Sequence, residues 1–396
     1  MNEIIYPDLS IVIIGHVDHG KTTLAKAITG QWLSKHSEEL KRGITIKLGY
    51  ADFIIYKCDE HGYTTKNICP ICNKPTTPIR KISLVDAPGH EALLSVMLSG
   101  AALVDAAILV IAANESVPQP QTLEHLIAFK LLGDKPLIVV QNKLDLISKE
   151  EAIKNYEEIV KFLEKYNVKN VKIIPISAIN ELNIKYILEA LAEIPKPKRD
   201  LKSDPIFLVS RSFDVNKPGT DIDKLTGGVL GGSLIRGKLH VEDEIEISPG
   251  LYLNNKWVKI RTKIKNLKIG NIDVDEIIPG GTAGIETYLD PFVTKDDTLV
   301  GQMVGYPKKL PGEKMEVSIR YQTIKELYPE EIKIKKGEEI MIGVYNIISL
   351  GIVTDSRENE IKVKLTKPVL GESGDKAIIM KKINNRWRIY GYGELL

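Results

Sequence analysis

Apolar positions fall in two different rhythms along the chain. Up to about residue 194, short apolar runs at residues 9–14, 82–85, 106–111, 137–140 and 171–176 read as buried strands. Between them, Leu24, Ala25, Ala27 and Ile28 repeat at helical spacing, and residues 150–165 and 183–193 carry the same period. Alternating strands and helices predict an α/β domain with a mostly parallel sheet. The stretch Ile194-Pro195-Lys196-Pro197-Lys198-Arg199-Asp200 cannot continue a helix and predicts a linker. Beyond it the period becomes two, as in residues 239–247, 315–319 and 361–365, with glycine and proline turns between. That alternation predicts antiparallel β-barrels. A second break at residues 306–312 splits this half, giving expected domains at 1–200, 201–310 and 311–396.

Charge narrows the classes of partner. Lys and Arg total 54 against 52 Asp and Glu, a net charge of +2, so a nucleic-acid partner must use local basic patches. The longest unbroken apolar run, residues 106–113, is too short to span a bilayer. Met1-Asn2-Glu3 lacks the basic start and long apolar segment of a secretory signal. The expectation is a cytoplasmic chain with no membrane partner.

Candidate chemistry begins where the first apolar run ends. Gly15-His16-Val17-Asp18-His19-Gly20-Lys21-Thr22-Thr23 fits G-x-x-x-x-G-K-[ST], between a strand and a helix, and reads as a phosphate-binding loop. Gly15 and Gly20 let successive N–H groups and the helix start point at phosphate oxygens. Lys21 supplies positive charge toward the β and γ phosphates, and the Thr22 hydroxyl is a ligand for magnesium bridging them. The run at 82–85 leads into Asp86-Ala87-Pro88-Gly89-His90. There Asp86 can hold magnesium through water, and the Gly89 N–H can approach a γ-phosphate. The run at 137–140 leads into Gln141-Asn142-Lys143-Leu144-Asp145. Asp145 can accept from both guanine N1–H and the exocyclic amine, a pattern adenine does not present. Asn142 and the stem of Lys143 would buttress that loop and cover the base. Ser177 and Ala178 are placed for a backbone N–H to meet guanine O6.

These stretches together resemble the GTP-binding domain of translational GTPases. Within that group they are most similar to the γ-subunit family of archaeal and eukaryotic translation initiation factor 2. Residues 36–50 resemble that family's first switch, and the likeness continues through Lys217-Pro218-Gly219-Thr220-Asp221, residues 225–232 and the closing residues 385–393. The resemblance implies a GTP contact set of Asp18, His19, Gly20, Lys21, Thr22 and Thr23 in the loop, with Asp86 and Gly89. Asn142, Lys143, Asp145, Ser177, Ala178 and Ile179 complete it. It implies magnesium held by Thr22 and, in the GTP form, by Thr45, with Asp18 and the Gly43 backbone near a second magnesium. His90, with Asp18, would serve catalysis by orienting the attacking water. A cleft for initiator methionyl-tRNA between the nucleotide domain and the second domain, docking of α and β subunits, and delivery to the small ribosomal subunit follow from the same likeness. Two other readings share the domain order: a tRNA-carrying elongation-type GTPase, and a regulatory GTPase subunit of an enzyme such as sulfate adenylyltransferase.

All three cysteines lie in one segment, Cys58-Asp59-Glu60-His61 followed by Cys69-Pro70-Ile71-Cys72. An odd, clustered count argues for metal over disulfides. Two x2 pairs fit two knuckles on one structural zinc held by Cys58, His61, Cys69 and Cys72. The family usually carries four cysteines here, so His61 is a departure. The lobe, near residues 56–79, is expected to be a stapled hairpin.

Overall fold

A seven-stranded sheet organises the N-terminal unit, Met1–Pro197. The structure is a computed structural model that describes residues 6–30, 49–86, 104–216, 219, 221, 225–270, 272–328, 333–383 and 385–396. Its strands are β1 (Leu9–Gly15), β2 (Gly49–Cys58), β3 (Gly62–Thr64), β4 (Thr77–Asp86), β5 (Ala106–Ala112), β6 (Leu137–Asn142) and β7 (Lys172–Pro175). They lie in the order β3-β2-β4-β1-β5-β6-β7. Every residue of β1 and of β5 is buried, as expected of parallel strands covered on both faces.

From β4 to β7 the sheet is parallel, while β2 and β3 add an antiparallel edge. The antiparallel edge has a local cause. A parallel return needs a crossover of a dozen or more residues, and the chain between β2 and β4 is taken up by the cysteine segment.

Four helices of this unit are described: α1 (Lys21–Thr29), α2 (Pro120–Leu131), α3 (Lys149–Lys165) and α4 (Ile184–Glu193). α1 buries Leu24, Ala25 and Ile28 against the sheet, and α4 buries Ile184, Ile187, Leu188 and Leu191. Both sets recur at three- and four-residue spacing, which puts them on one helical face. α3 starts with a capping box, the Ser148 hydroxyl accepting from the Glu151 N–H while the Glu151 carboxylate accepts from the Ser148 N–H.

The exit from α4 is held from the sheet. Arg80, on β4, donates through Nη1 to the carbonyls of Leu191 at 2.9 Å and Ile194 at 2.7 Å, and through Nε to Asp8 at 2.9 Å. One buried guanidinium thus serves the orphan carbonyls that every helix leaves at its C-terminal end.

The second unit, Lys198–Leu396, is built of antiparallel strands. In its first half are β8 (Ile206–Phe213), β9 (Val229–Arg236), β10 (Leu239–His240), β11 (Glu244–Leu253), β12 (Lys256–Ile269), β13 (Ile272–Val274), β14 (Glu276–Ile277), β15 (Ala283–Thr287) and β16 (Met303–Gly305). The order β11-β16-β8-β9-β15-β12 closes on itself through the β11–β12 pairing, with β13 beside β12. β10 and β14 pair apart from the ring. Its second half holds β17 (Glu313–Thr323), β18 (Glu339–Val344), β19 (Ile347–Arg357), β20 (Glu360–Leu370), β21 (Lys376–Ile383) and β22 (Arg386–Leu395). These form a closed barrel in the order β17-β20-β19-β18-β21-β22. The two rings meet where Asn346 Nδ2 donates to the Val209 carbonyl at 3.0 Å and Ser248 Oγ donates to Glu313 at 2.7 Å. Among the described residues no helix is long and apolar enough to cross a membrane.

Replacing Arg80 with Met fills similar space and removes its donors from the α4 carbonyls and from Asp8, which keeps its pairing with Lys196 at 3.0 Å. We expect Arg80→Met to cost on the order of 3 kcal/mol in chemical denaturation, the scale for breaking a buried charged pair. A loss below about 1 kcal/mol, the scale of an exposed pair, would reduce Arg80 to a surface contact.

Candidate functional site

β1 ends in Gly15, and the chain then turns into α1. Two positions of that turn require glycine. At Gly15 (φ 139) a Cβ would stand 2.3 Å from the Val110 carbonyl oxygen, and at Gly20 (φ 90) it would stand 2.3 Å from Asn142 Nδ2. Between them Asp18 adopts the left-handed conformation, φ 62, with its side chain exposed. Gly20 is the N-cap of α1, and no side chain caps that end. The first-turn N–H groups and the positive end of the helix dipole are therefore arranged for an anion. Lys21, the first residue of α1, is buried and donates from Nζ to the His16 carbonyl at 2.6 Å. Thr22 and Thr23 follow in the same turn, half-buried.

The residues expected to recognise the base converge on this loop through Asn142 at the end of β6. Its Nδ2 donates to the His19 carbonyl at 2.9 Å, and its Oδ1 accepts from the Ala178 N–H at 3.0 Å. Lys143 is left-handed, φ 66, and opens the short 3-10 turn Leu144–Leu146 that carries the exposed Asp145. Ser177 Oγ donates to Asp145 Oδ1, and Asn180 Nδ2 donates to Ser177 Oγ at 3.1 Å. The Asp145 carboxylate is thereby oriented from the Ser177–Ala178 side. Of that pair, the Ala178 N–H already donates to Asn142. Ile179 follows with its side chain 73 % exposed.

The side chain of His19 is turned inward, so a ligand at this position meets backbone. Its ring is 1 % exposed, and Nδ1 donates to the Val110 carbonyl at 3.0 Å. Burial pushes its pKa down to about 4, against the pull of the Val110 carbonyl and of Glu115, whose carboxylate is 3.4 Å from Nε2. At neutral pH the ring is uncharged.

Two residues outside the sequence motifs also touch the loop. Gln121 Oε1 accepts from the Val17 N–H, and His125 Nδ1 accepts from the Gly15 N–H, both at 3.1 Å. Both belong to α2. The sequence signal was there: two polar residues one helical turn apart beside Leu126, Ile127 and Ala128, all buried.

Asp86 closes β4 in register with Ile13 of β1, one strand from the loop. Its side chain lies outside the described residues, as do Gly43, Thr45, Gly89 and His90. So do residues 36–48 of the first-switch segment, and Lys217, Pro218 and Thr220.

The four expected zinc residues come together at the far end of β2. Cys58 Sγ is 3.7 Å from His61 Nδ1 and 3.7 Å from Cys72 Sγ, and Cys69 Sγ is 3.7 Å from the same Nδ1. All four ligand atoms lie within 4.8 Å of one another. Around one tetrahedral zinc, with bonds of about 2.3 Å to sulfur and about 2.0–2.1 Å to nitrogen, neighbouring ligands stand about 3.6–3.8 Å apart. The donor set fits the metal. Each knuckle closes with a left-handed residue, Gly62 (φ 81) and Asn73 (φ 53), and the Asn73 N–H returns to the Cys69 carbonyl at 2.9 Å. Donation from the backbone N–H groups of Cys72 and Ile71 holds the Cys69 thiol down to about 6, which favours the ligating thiolate. Glu60 points away from the cluster, paired with Lys74.

Two stretches of the chain match known families. Residues 7–197 match the elongation factor Tu GTP binding domain, and residues 315–395 match the C-terminal domain of initiation factor eIF2 gamma. The translation initiation factor 2 subunit gamma of Archaeoglobus fulgidus is 47 % identical over 99 % of this chain and 95 % of its own length. That of Pyrococcus abyssi is 48 % identical over 98 % and 97 %. In fold, the chain is similar to the elongation factor SelB of Methanococcus maripaludis in complex with the GTP analogue GppNHp, with a TM-score of 0.74 at 22 % identity. That match covers 99 % of this chain and 80 % of SelB. A bacterial selenocysteine-specific elongation factor gives a TM-score of 0.73 at 23 % identity, over 98 % of this chain and 58 % of that one. Near-half identity along nearly the full length, with a GTP-binding domain match over residues 7–197, makes this chain a GTPase of the translation initiation factor 2 subunit gamma family.

Proposed function

We propose that this chain carries initiator methionyl-tRNA to the small ribosomal subunit in its GTP form and releases it after hydrolysis, with GTP hydrolysis as the timer. It acts as the γ subunit of a cytoplasmic heterotrimer with α and β subunits. The observation that carries the nucleotide half is the Asn142 carboxamide, bonded at one end to the phosphate loop and at the other to Ala178. The tRNA half is supported by near-full-length identity to initiation factor 2 γ subunits.

In this reading the α1 N-terminus and Lys21 bind the β and γ phosphates. Thr22, with Thr45 and, through water, Asp86, would hold a magnesium ion, which would supply positive charge against that developing on those oxygens. Asp18 and the Gly43 backbone would serve a second magnesium. Lys143 covers the base, and Asp145, oriented by Ser177, accepts its two N–H donors. His90 orients a water that attacks the γ-phosphorus; the bond to the bridging β–γ oxygen breaks, leaving GDP and phosphate. Loss of the γ-phosphate removes the partner of Gly89 and relaxes the two segments that carry Thr45 and Gly89.

The cysteine lobe is a structural site. Cys58, His61, Cys69 and Cys72 would hold zinc with no position open to water, stapling the edge hairpin.

Purification with a non-hydrolysable GTP analogue, followed by sequencing of retained RNA, tests the tRNA half. Initiator tRNA should be enriched over elongator tRNAs; enrichment of a selenocysteine tRNA, or of none, would overturn it. Asp145→Asn tests the base. Its new amide donates where the carboxylate accepted, so competition assays should show preference moving from GTP to XTP. Unchanged preference would remove Asp145 from base recognition. For the metal site, elemental analysis should give one zinc per wild-type chain and clear loss in His61→Ala, with GTP affinity nearly intact. Equal zinc in both would exclude histidine ligation.

A further inference from the structure

Buried polar side chains in folded proteins are almost always hydrogen-bonded, so their partners show what they are for. Gln121 and His125 are 4 % and 2 % exposed, one turn apart on α2. Both send their accepting atom into the phosphate loop, to alternate residues: Gln121 Oε1 to the Val17 N–H and His125 Nδ1 to the Gly15 N–H. The next residue in that alternation, His19, directs its own N–H back to the His16 carbonyl at 3.4 Å.

We propose that Gln121 and His125 are positioning residues for GTP, fixing the loop backbone in its phosphate-binding shape before nucleotide arrives. The inference rests on the reading of this loop as the GTP phosphate site.

A loop that binds phosphate through backbone amides has two kinds of N–H. Those aimed at the ligand must stay clear of protein acceptors. Those aimed inward must have one, because a buried unpaired N–H is costly and the loop will twist to relieve it. Here the inward set is Gly15, Val17 and His19, and the start of α1, with no side-chain cap, remains for phosphate. The acceptors' chemistry suits their place. A carboxylate at either position would also accept, but its charge would repel a polyphosphate across a poorly screened interior. Imidazole Nδ1 and a carboxamide oxygen accept without charge. An Nδ1 that accepts from Gly15 puts the ring proton on Nε2. Burial keeps His125 in this neutral form by pushing its pKa down to about 3.

Geometry also explains why the loop needs outside help. Gly15, Asp18 and Gly20 all sit at positive φ, so no regular backbone hydrogen-bond ladder can hold the turn. Freezing it only on ligand binding would subtract its ordering entropy from affinity. Anchors from a separate helix remove that loss.

The test uses the full chain with magnesium and a fluorescent GDP, measuring dissociation constant and off-rate. His125→Leu keeps bulk without an acceptor, His125→Asn restores an acceptor at the position of Nδ1, and Gln121→Met keeps length without one. We expect His125→Leu to bind roughly tenfold more weakly, chiefly through a faster off-rate, with His125→Asn recovering most of the loss. Gln121→Met should weaken binding several-fold. A purely structural role would lower thermal stability without nucleotide and would not be rescued in affinity by Asn. His125→Leu binding within twofold of wild type, or His125→Asn as weak as Leu, overturns the proposal. If His125→Leu does not fold, Gln121→Met decides, and affinity within twofold of wild type overturns it. Wild type that binds no guanine nucleotide would overturn the GTP reading and the inference with it; wild type that binds, with unaffected variants, overturns the inference alone.

Discussion

A single carboxamide, that of Asn142, joins the two halves of the nucleotide site. Its nitrogen and oxygen are used in opposite directions, one toward the loop after β1 and one toward the loop after β7. The constraint is tight enough to dictate a residue elsewhere, since a Cβ on Gly20 would collide with the Asn142 nitrogen. The left-handed Gly20, the uncapped helix start and the orientation of Asp145 by Ser177 all presuppose strand ends set side by side by the sheet. In an open α/β sheet the carboxyl ends of parallel strands are where ligands collect, and the site follows that rule.

Against this frame, the parts legible in sequence are those where the chemistry is local. The loop between Gly15 and Thr23 and the turn at Asn142–Asp145 are contiguous, so residue type and spacing reveal them. The exchange of apolar period from runs to strict alternation, near residue 200, likewise marks the change from α/β to barrel. Gln121 and His125 leave a visible mark, two polar residues one turn apart in an apolar helix, but not a legible role. Their role depends on which face of α2 meets which loop, and a polar residue in an apolar helix is ambiguous until that is known. The antiparallel edge, by contrast, follows from the hairpin expected around the cysteine knuckles, which brings β4 back antiparallel to β2.

His19 illustrates a subtler limit. The motif identifies its position correctly as part of the loop, but not the direction of its ring, which is packed under the loop against the Val110 carbonyl. The cysteine lobe shows the reverse. Cysteine and histidine spacing in sequence was enough to name four residues that the fold brings together, because short knuckles leave little freedom, and their S–S and S–N separations of 3.7 Å have tetrahedral proportions.

The guanidinium of Arg80 has a mechanical meaning. It grips the last carbonyls of α4 from a strand, so tension on the chain at Ile194 is borne by β4 and not by the final hydrogen bonds of the helix. β4 is paired with β2 along its length and with β1 from Ile82 to Asp86, which stiffens the strand toward its carboxyl end. It runs from Arg80 to Asp86, a distance of about 20 Å at strand rise. The point where the chain leaves the N-terminal unit and the strand end beside the phosphate loop thus belong to one inextensible rod.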